Sequence, residues 1–303
     1  MDIMRRIENA RDLTPTEQQL ASTARSLGVR LQGYTIKEFA AAAHVSIPSV
    51  HRFCKKIGLE GFKELKVEFA RAQALREHHS TNVDINFPFL KDDDAETILK
   101  SIAAVYESTL RDTRELLDPA SIDRAARLLT QAETVDIYTQ SHNLFPAQMF
   151  CNRLLSFGRV ATCHKGIERQ TWSALSSDET HSALLISYSG LGPNLATLLP
   201  ILAERQVPAV LIGTPRAEQL NPGLSCYLHV SDQESLQDRI TQFASHIAVQ
   251  YVLDSLYGCM FALDWERGSA FLSRSLPHTA LPALQSPQLS PAEYAGIMMS
   301  RMR

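Results

Sequence analysis

Three groups of polar residues in this sequence have types and spacings suited to chemistry. The first is Ser46, Pro48, Ser49 and Arg52, followed by Lys55, Lys56 and Lys63. Short hydroxyls and a guanidinium at the start of a helix suit the edges of base pairs, and lysines behind them suit phosphates. Thr35, just upstream, is placed beside the same nucleic-acid backbone. Solvated groups on a small helical bundle would have the same composition, so this reading depends on the surrounding elements. The second group is Thr139-Gln140-Ser141-His142-Asn143, and the third runs from Ser187 to Asn194. Ser189, Gly190 and Gly192 offer hydroxyls and a permissive backbone ahead of a helix, which makes an anion nest; structural turns are the alternative. His142 and Glu234 would form an acid–base pair if the fold joined them, but ligand hydrogen bonding is the more economical reading.

The elements that must position the first group lie between Thr35 and Lys66. Thr35 with Glu38 makes a capping box, Ser46 is placed to cap a second helix, and Pro48 sits in its first turn. Ile36 and Phe39 supply the buried side of one helix, and Phe53 and Ile57 that of the next. Two short helices across a tight break, the second exposing His51, Arg52, Lys55 and Lys56, form a helix-turn-helix that reads as DNA-binding. Thr14, Pro15 and Glu17 start an earlier helix striped by Leu20, Ala24 and Leu27. Gly61-Phe62 starts a later one with Phe62, Leu65 and Phe69 inward. Residues 1–77 form this all-helical head and 78–90 a linker.

In residues 91–267 the pattern changes. Asp94 and Asp118-Pro119 begin helices, the first striped by Ile98, Ile102, Val105 and Leu110. The acidic triplet Asp92-Asp93-Asp94 reads as helix capping rather than a metal site. Apolar runs at 134–138, 158–161, 182–187, 208–213 and 226–230 then alternate with helices, including 144–157, 195–204 and a long one over 236–261. Runs that are apolar throughout indicate an α/β body with a five-stranded parallel sheet covered on both faces. In such sheets ligands sit beyond the carboxyl ends of the strands, where the second and third groups fall. Residues 268–303 read as a surface tail with a short helix at 292–299.

Composition narrows the classes. The chain has 303 residues, 45% of them apolar and 21% charged, enough to bury a sizeable core in two domains. The head carries 13 Lys/Arg against 9 Asp/Glu, a net of +4, so within an overall −3 the remainder is −7. A basic head on an acidic body fits a first domain that meets phosphates. Cys54, Cys151, Cys163, Cys226 and Cys259 lack C-x-x-C spacing and read as reduced residues of a cytoplasmic protein. No signal core or run of about 18 apolar residues is present, so export and membrane insertion are not expected. There is no G-x-G-x-x-G, Walker loop or H-E-x-x-H, and no spaced nucleophile–base set, so neither cofactor nor metal nor catalysis is expected.

The stretch TIKEFAAAAHVSIPSVHRFCKKIGLEGFKELK is similar, through almost its full length, to the DNA-binding signature of bacterial regulators of the RpiR family. The body adds Ile186-Ser187-Tyr188-Ser189-Gly190, Ser231-Asp232-Gln233-Glu234 and Leu253-Asp254-Ser255-Leu256-Tyr257, which resemble that family's sugar isomerase (SIS) domain. The resemblance spans about residues 5–262. It implies a three-layer α/β/α SIS domain that senses a phosphorylated sugar and assembles dimers or tetramers over a palindromic double-stranded operator. Repression of carbohydrate genes would be its output. Ser141, His142, Asn143, Ser187, Ser189, Gly190, Gly192 and Glu234 would line the effector site. A sugar-phosphate isomerase with an appended head, or a body that only oligomerises, are the alternatives. Two departures stand out. Thr139 and Ser141 occupy places that are glycines in the family's first loop, with Asn143 at its serine, and Gly192 replaces a hydroxyl in the second. The first loop is therefore expected to follow a different path, or the ligand to be atypical.

Overall fold

Local start signals decide where the head's helices begin. In the computed structural model, which describes residue 7, residues 13–77, 83–192 and 194–279, and residues 296 and 300, the chain separates into units 1–82 and 83–303. The first unit contains α1 (Pro15–Leu27), a 3₁₀ segment (Gly28–Gly33), α2 (Ile36–Ala42), α3 (Ile47–Lys56) and α4 (Phe62–Glu77). Thr14 and Glu17 cap α1 reciprocally, with Thr14 N donating to Glu17 Oε2 at 2.8 Å. Thr35 and Glu38 do the same for α2, at 2.7 Å and 3.2 Å. Ser46 departs from expectation. It holds the N-cap position of α3 without capping it, because its hydroxyl is spent on Ser49 Oγ at 2.9 Å. Gly58, at φ +79°, ends the reading pair. Leu20, Leu31, Val50, Phe53 and Leu65 fill the core, and Phe39 stacks on Phe62 with ring centres 5.2 Å apart.

The second unit opens with α5 (Ala95–Leu116) and α6 (Pro119–Gln131), capped by Asp94 and Asp118. Then follow β1 (Thr134–Thr139), α7 (Leu144–Ser156), β2 (Val160–Cys163), α8 (Ile167–Ser176), β3 (His181–Ile186), α9 (Leu195–Glu204), β4 (Ala209–Gly213), α10 (Pro215–Leu220), β5 (Cys226–His229), α11 (Ala244–Leu263) and α12 (Trp265–Thr279). All strands are parallel in the order β2-β1-β3-β4-β5. Alternate residues of β3 serve opposite layers. Leu184 and Ile186 join a core with α6, α7 and α11, whereas Ala183 and Leu185 join another with α8, α9 and α10. The body is thus a three-layer α/β/α domain, as its apolar strands require.

Three details differ from the sequence expectation. The buried stripe of α5 is Ser101, Val105, Thr109 and Thr113, while Ile98, Ile102 and Leu110 are only half-buried. Hydrophobicity alone misplaced that face by a fraction of a turn. The last long helix starts at Ala244 rather than 236, because Leu236 and Ile240 are exposed and a carboxylate described below caps the later start. The segment read as a tail begins as α12: Trp265 packs edge-on against Phe261, and the Phe271 ring covers Gly158, where any Cβ would lie 2.6 Å from it. Most of residues 280–303, including the helix expected at 292–299, lies outside the described residues.

Asp136, buried in the middle of β1, ties strands and helix together. Its carboxylate accepts hydrogen bonds from Thr162 Oγ1 on β2, Ser173 Oγ (3.3 Å) and Ser177 Oγ (3.0 Å) at α8, and contacts His181 Nδ1 on β3 at 2.7 Å. Asp136→Ala removes the acceptor these groups share. It is expected to destabilise the body by about 3 kcal/mol in urea unfolding; a loss near zero would show that the network is replaceable.

Candidate functional site

On the head, α3 presents Pro48, His51, Arg52 and Lys55 to solvent, with Ser46 exposed at its start. Ser49 is not on that face. It is buried, and its hydroxyl joins Ser46 to Arg52, whose Nη2 donates to it at 3.2 Å. The three residues form a short relay that limits the rotamers of the one guanidinium expected to read bases. Lys56 also differs from a free phosphate contact. Its ammonium bonds Glu17 Oε2 at 2.9 Å and pins α1 to the reading helix. That bond, with the Thr14 amide second, holds the Glu17 carboxyl below its usual range. The Thr35 hydroxyl is likewise engaged, donating to Glu38 Oε2 at 2.9 Å. Lys55 and Lys63 are exposed.

On the body, the loops after β1, β3 and β5 meet at the carboxyl ends of the strands. Thr139 and Gln170, the second of which sequence reading missed, set their geometry. Thr139 Oγ1 donates to Ile186 O at 2.9 Å, closing β1 against β3. Buried Gln170 donates from Nε2 to Thr139 O (2.6 Å) and His164 O (3.0 Å), and accepts from Asn194 Nδ2 at 2.9 Å. One amide thereby fixes three loops. Gly190 has φ +71°, and a Cβ there would lie 2.6 Å from the Ala217 backbone. At Gly192 a Cβ would lie 2.8 Å from Asn194 Oδ1 and 3.3 Å from Ser187 Oγ, so the missing side chain makes room for both. Ser189 Oγ accepts from Leu191 N at 3.2 Å.

Glu234 and His142 are not hydrogen-bonded to each other. The fully buried Glu234 carboxylate accepts from Ala244 N and Ser245 N, each at 3.1 Å, at the start of α11, and from Arg239 Nη1 at 2.8 Å. An anion at a helix N-terminus is favoured by the free amides and the dipole. Tyr188 braces the same residue: its hydroxyl donates to Glu234 O at 3.2 Å and accepts from Glu234 N at 3.3 Å. The carboxylate is thus committed to holding the fold.

His142 is the opposite case. The Ser141–Asn143 turn packs on α11. Both imidazole nitrogens of His142 are buried with no partner in the chain, as are Asn143 Oδ1, Ser231 Oγ and Ser245 Oγ. Burial first, then the positive charge of Arg239, lowers the His142 pKa, partly opposed by Glu234. The His142 imidazole thus offers one donor and one acceptor, next in the chain to the unpartnered Asn143 amide oxygen. Ser141, at φ +57°, keeps the left-handed backbone that glycine favours, at a cost of about 1 kcal/mol.

Comparison with known proteins agrees with both halves. Residues 1–75 match the family model described as a helix-turn-helix domain of the rpiR family. An HTH-type transcriptional regulator of Caldanaerobacter subterraneus is 25% identical over 253 residues, 82% of this chain and 86% of its own. The HTH-type transcriptional regulator HexR of Escherichia coli is 26% identical over 223 residues, 72% of this chain and 75% of its own. Among solved structures, the Vibrio vulnificus NanR protein complexed with ManNAc-6P superposes with a TM-score of 0.55 at 17% identity, covering 92% of this chain and all of that one. The head thus matches the rpiR helix-turn-helix model, and the chain is similar over most of its length to HTH-type transcriptional regulators.

Proposed function

We propose that this regulator binds a palindromic operator through α3 and releases or retains it according to a phosphorylated sugar, or a related metabolite, held between the β1, β3 and β5 loops. The observation that carries the effector half is the group of buried polar atoms without partners: His142, Asn143, Ser231 and Ser245. Buried polar groups left unpaired cost stability, and a bound polyol is one way to satisfy them. The phosphate end falls to the Ser187–Gly192 loop, where Ser187, Ser189 and backbone amides precede α9. NanR, which has this fold, was solved with the sugar phosphate ManNAc-6P. Repression of carbohydrate genes, a cytoplasmic location and assembly as a dimer or tetramer complete the reading. Two heads per dimer would meet the two half-sites.

Catalysis is not part of this reading. The His142–Glu234 acid–base pair it would use is not formed, and Glu234 spends both oxygens on α11 and Arg239. Among the described residues no group of three or more His, Cys, Asp and Glu is placed to hold a metal, and no helix is long and apolar enough to cross a membrane.

Two measurements separate the halves. Arg52→Ala is expected to weaken operator binding by about 1–3 kcal/mol in fluorescence anisotropy while leaving the unfolding temperature unchanged. Unchanged affinity would remove Arg52 from base reading. In a thermal-shift screen of hexose, amino-sugar and sugar-acid phosphates, at least one is expected to raise the unfolding temperature in a concentration-dependent way. Ser187→Ala should reduce that shift while preserving DNA binding; a screen with no shift at all would favour a body that only oligomerises.

A further inference from the structure

The segment that leads from the head into the body is bound to the loop that carries Glu234 and Arg239. Residues 83–90 pack on the body before α5 begins. Asp84 Oδ1 accepts from Asn86 N (2.8 Å) and Phe87 N (3.3 Å), which folds the segment into a tight turn. That turn aims Asn86 at the 231–243 loop from two sides. Asn86 Oδ1 accepts from Ser235 N at 2.7 Å, and Asn86 O accepts from Ile240 N at 3.0 Å. Phe89 packs edge-on against Phe243, with ring centres 6.2 Å apart, one residue before α11.

From these contacts we infer that Asn86 is a positioning residue that transmits the state of the effector loops to the connection with the head. The connected groups are continuous. The Ser187–Gly192 loop contains Tyr188, whose hydroxyl grips the Glu234 backbone; Ser235, next in the chain, donates to Asn86. Residue 83 begins the unit that follows the head. Loop 231–243 has no regular structure, and Glu234 on α11 and Asn86 on the incoming segment are among its anchors. A ligand that draws on Arg239 or His142 weakens the first anchor and moves the second. Coupling of this kind requires an element with two arrangements that both sites bias. The inference rests on the proposed effector position, and its test uses no effector.

A double-mutant cycle in the full-length protein tests it, with a duplex selected by the wild-type protein from a random pool as the DNA probe. Arg239→Ala removes one donor from Glu234 and loosens the loop as a ligand would. It is expected to change affinity for that duplex about fivefold when Asn86 is present, and to have almost no effect in the Asn86→Ala background. Asn86→Asp keeps the acceptor for Ser235 N and should restore the response. Where Asn86→Ala does not fold, Ser235→Pro removes the donor of the same bond and takes its place. An equal effect of Arg239→Ala in both backgrounds, or none with Asn86 intact, overturns the inference. A failed sugar-phosphate screen would leave this cycle fully interpretable.

Discussion

A carboxylate removed from water must be paired, because an unpaired one costs several kcal/mol, comparable with the stability of a whole domain. Glu234 is in that position, and the organisation of the strand ends follows from how it is satisfied. Its two oxygens take the first free amides of α11, which fixes where that helix starts. They also take the Arg239 guanidinium, which folds the intervening residues into a loop instead of another turn of helix. Tyr188 binds the backbone of the same residue, so the second anion loop is positioned by β5's successor as well as by β3. One buried charge thereby sets a helix boundary, a loop and the orientation of the loop opposite.

The same end of the sheet shows what happens where pairing is withheld. Gln170 satisfies both its donor and its acceptor and locks three loops, whereas His142, Asn143, Ser231 and Ser245 each keep a buried polar atom without a partner. The Asp136 network, by contrast, is closed: each of its carboxylate oxygens has a donor. Open groups beside closed ones, on a scaffold that cannot relax toward them, are the arrangement a polar ligand requires.

Much of the fold was legible because it is written in local signals. The reciprocal caps at Thr14/Glu17 and Thr35/Glu38, the caps at Asp94 and Asp118, and the five apolar strands each depend on residues within a few positions of one another. What escaped depends on partners far apart in sequence. Asp136 with His181, Gln170 with Asn194 and Asn86 with Ser235 are side-chain pairings with no periodicity to reveal them. Local rules also competed. Ser46 has the right residue type and position for a cap, yet Ser49, three residues on, offered its hydroxyl another partner. The α5 stripe was misread because three of its five buried residues are threonine or serine, which a hydrophobicity count passes over.

The first effector loop illustrates how far a departure from a family pattern changes structure. Replacing glycine by serine at 141 removes conformational freedom, but the chain still holds φ at +57° there. The strain of roughly 1 kcal/mol is small beside the bonds that fix the neighbours: Thr139 through its hydroxyl to Ile186 and its carbonyl to Gln170, and the following turn against α11. With the Thr139 hydroxyl turned inward to β3, the polar atoms left to meet a ligand are those of His142 and Asn143. An imidazole kept neutral by burial and an amide oxygen discriminate by hydrogen-bond direction rather than by charge. On the proposed reading, recognition at this end of the site rests on hydroxyl geometry, and charge recognition on the loop that follows β3.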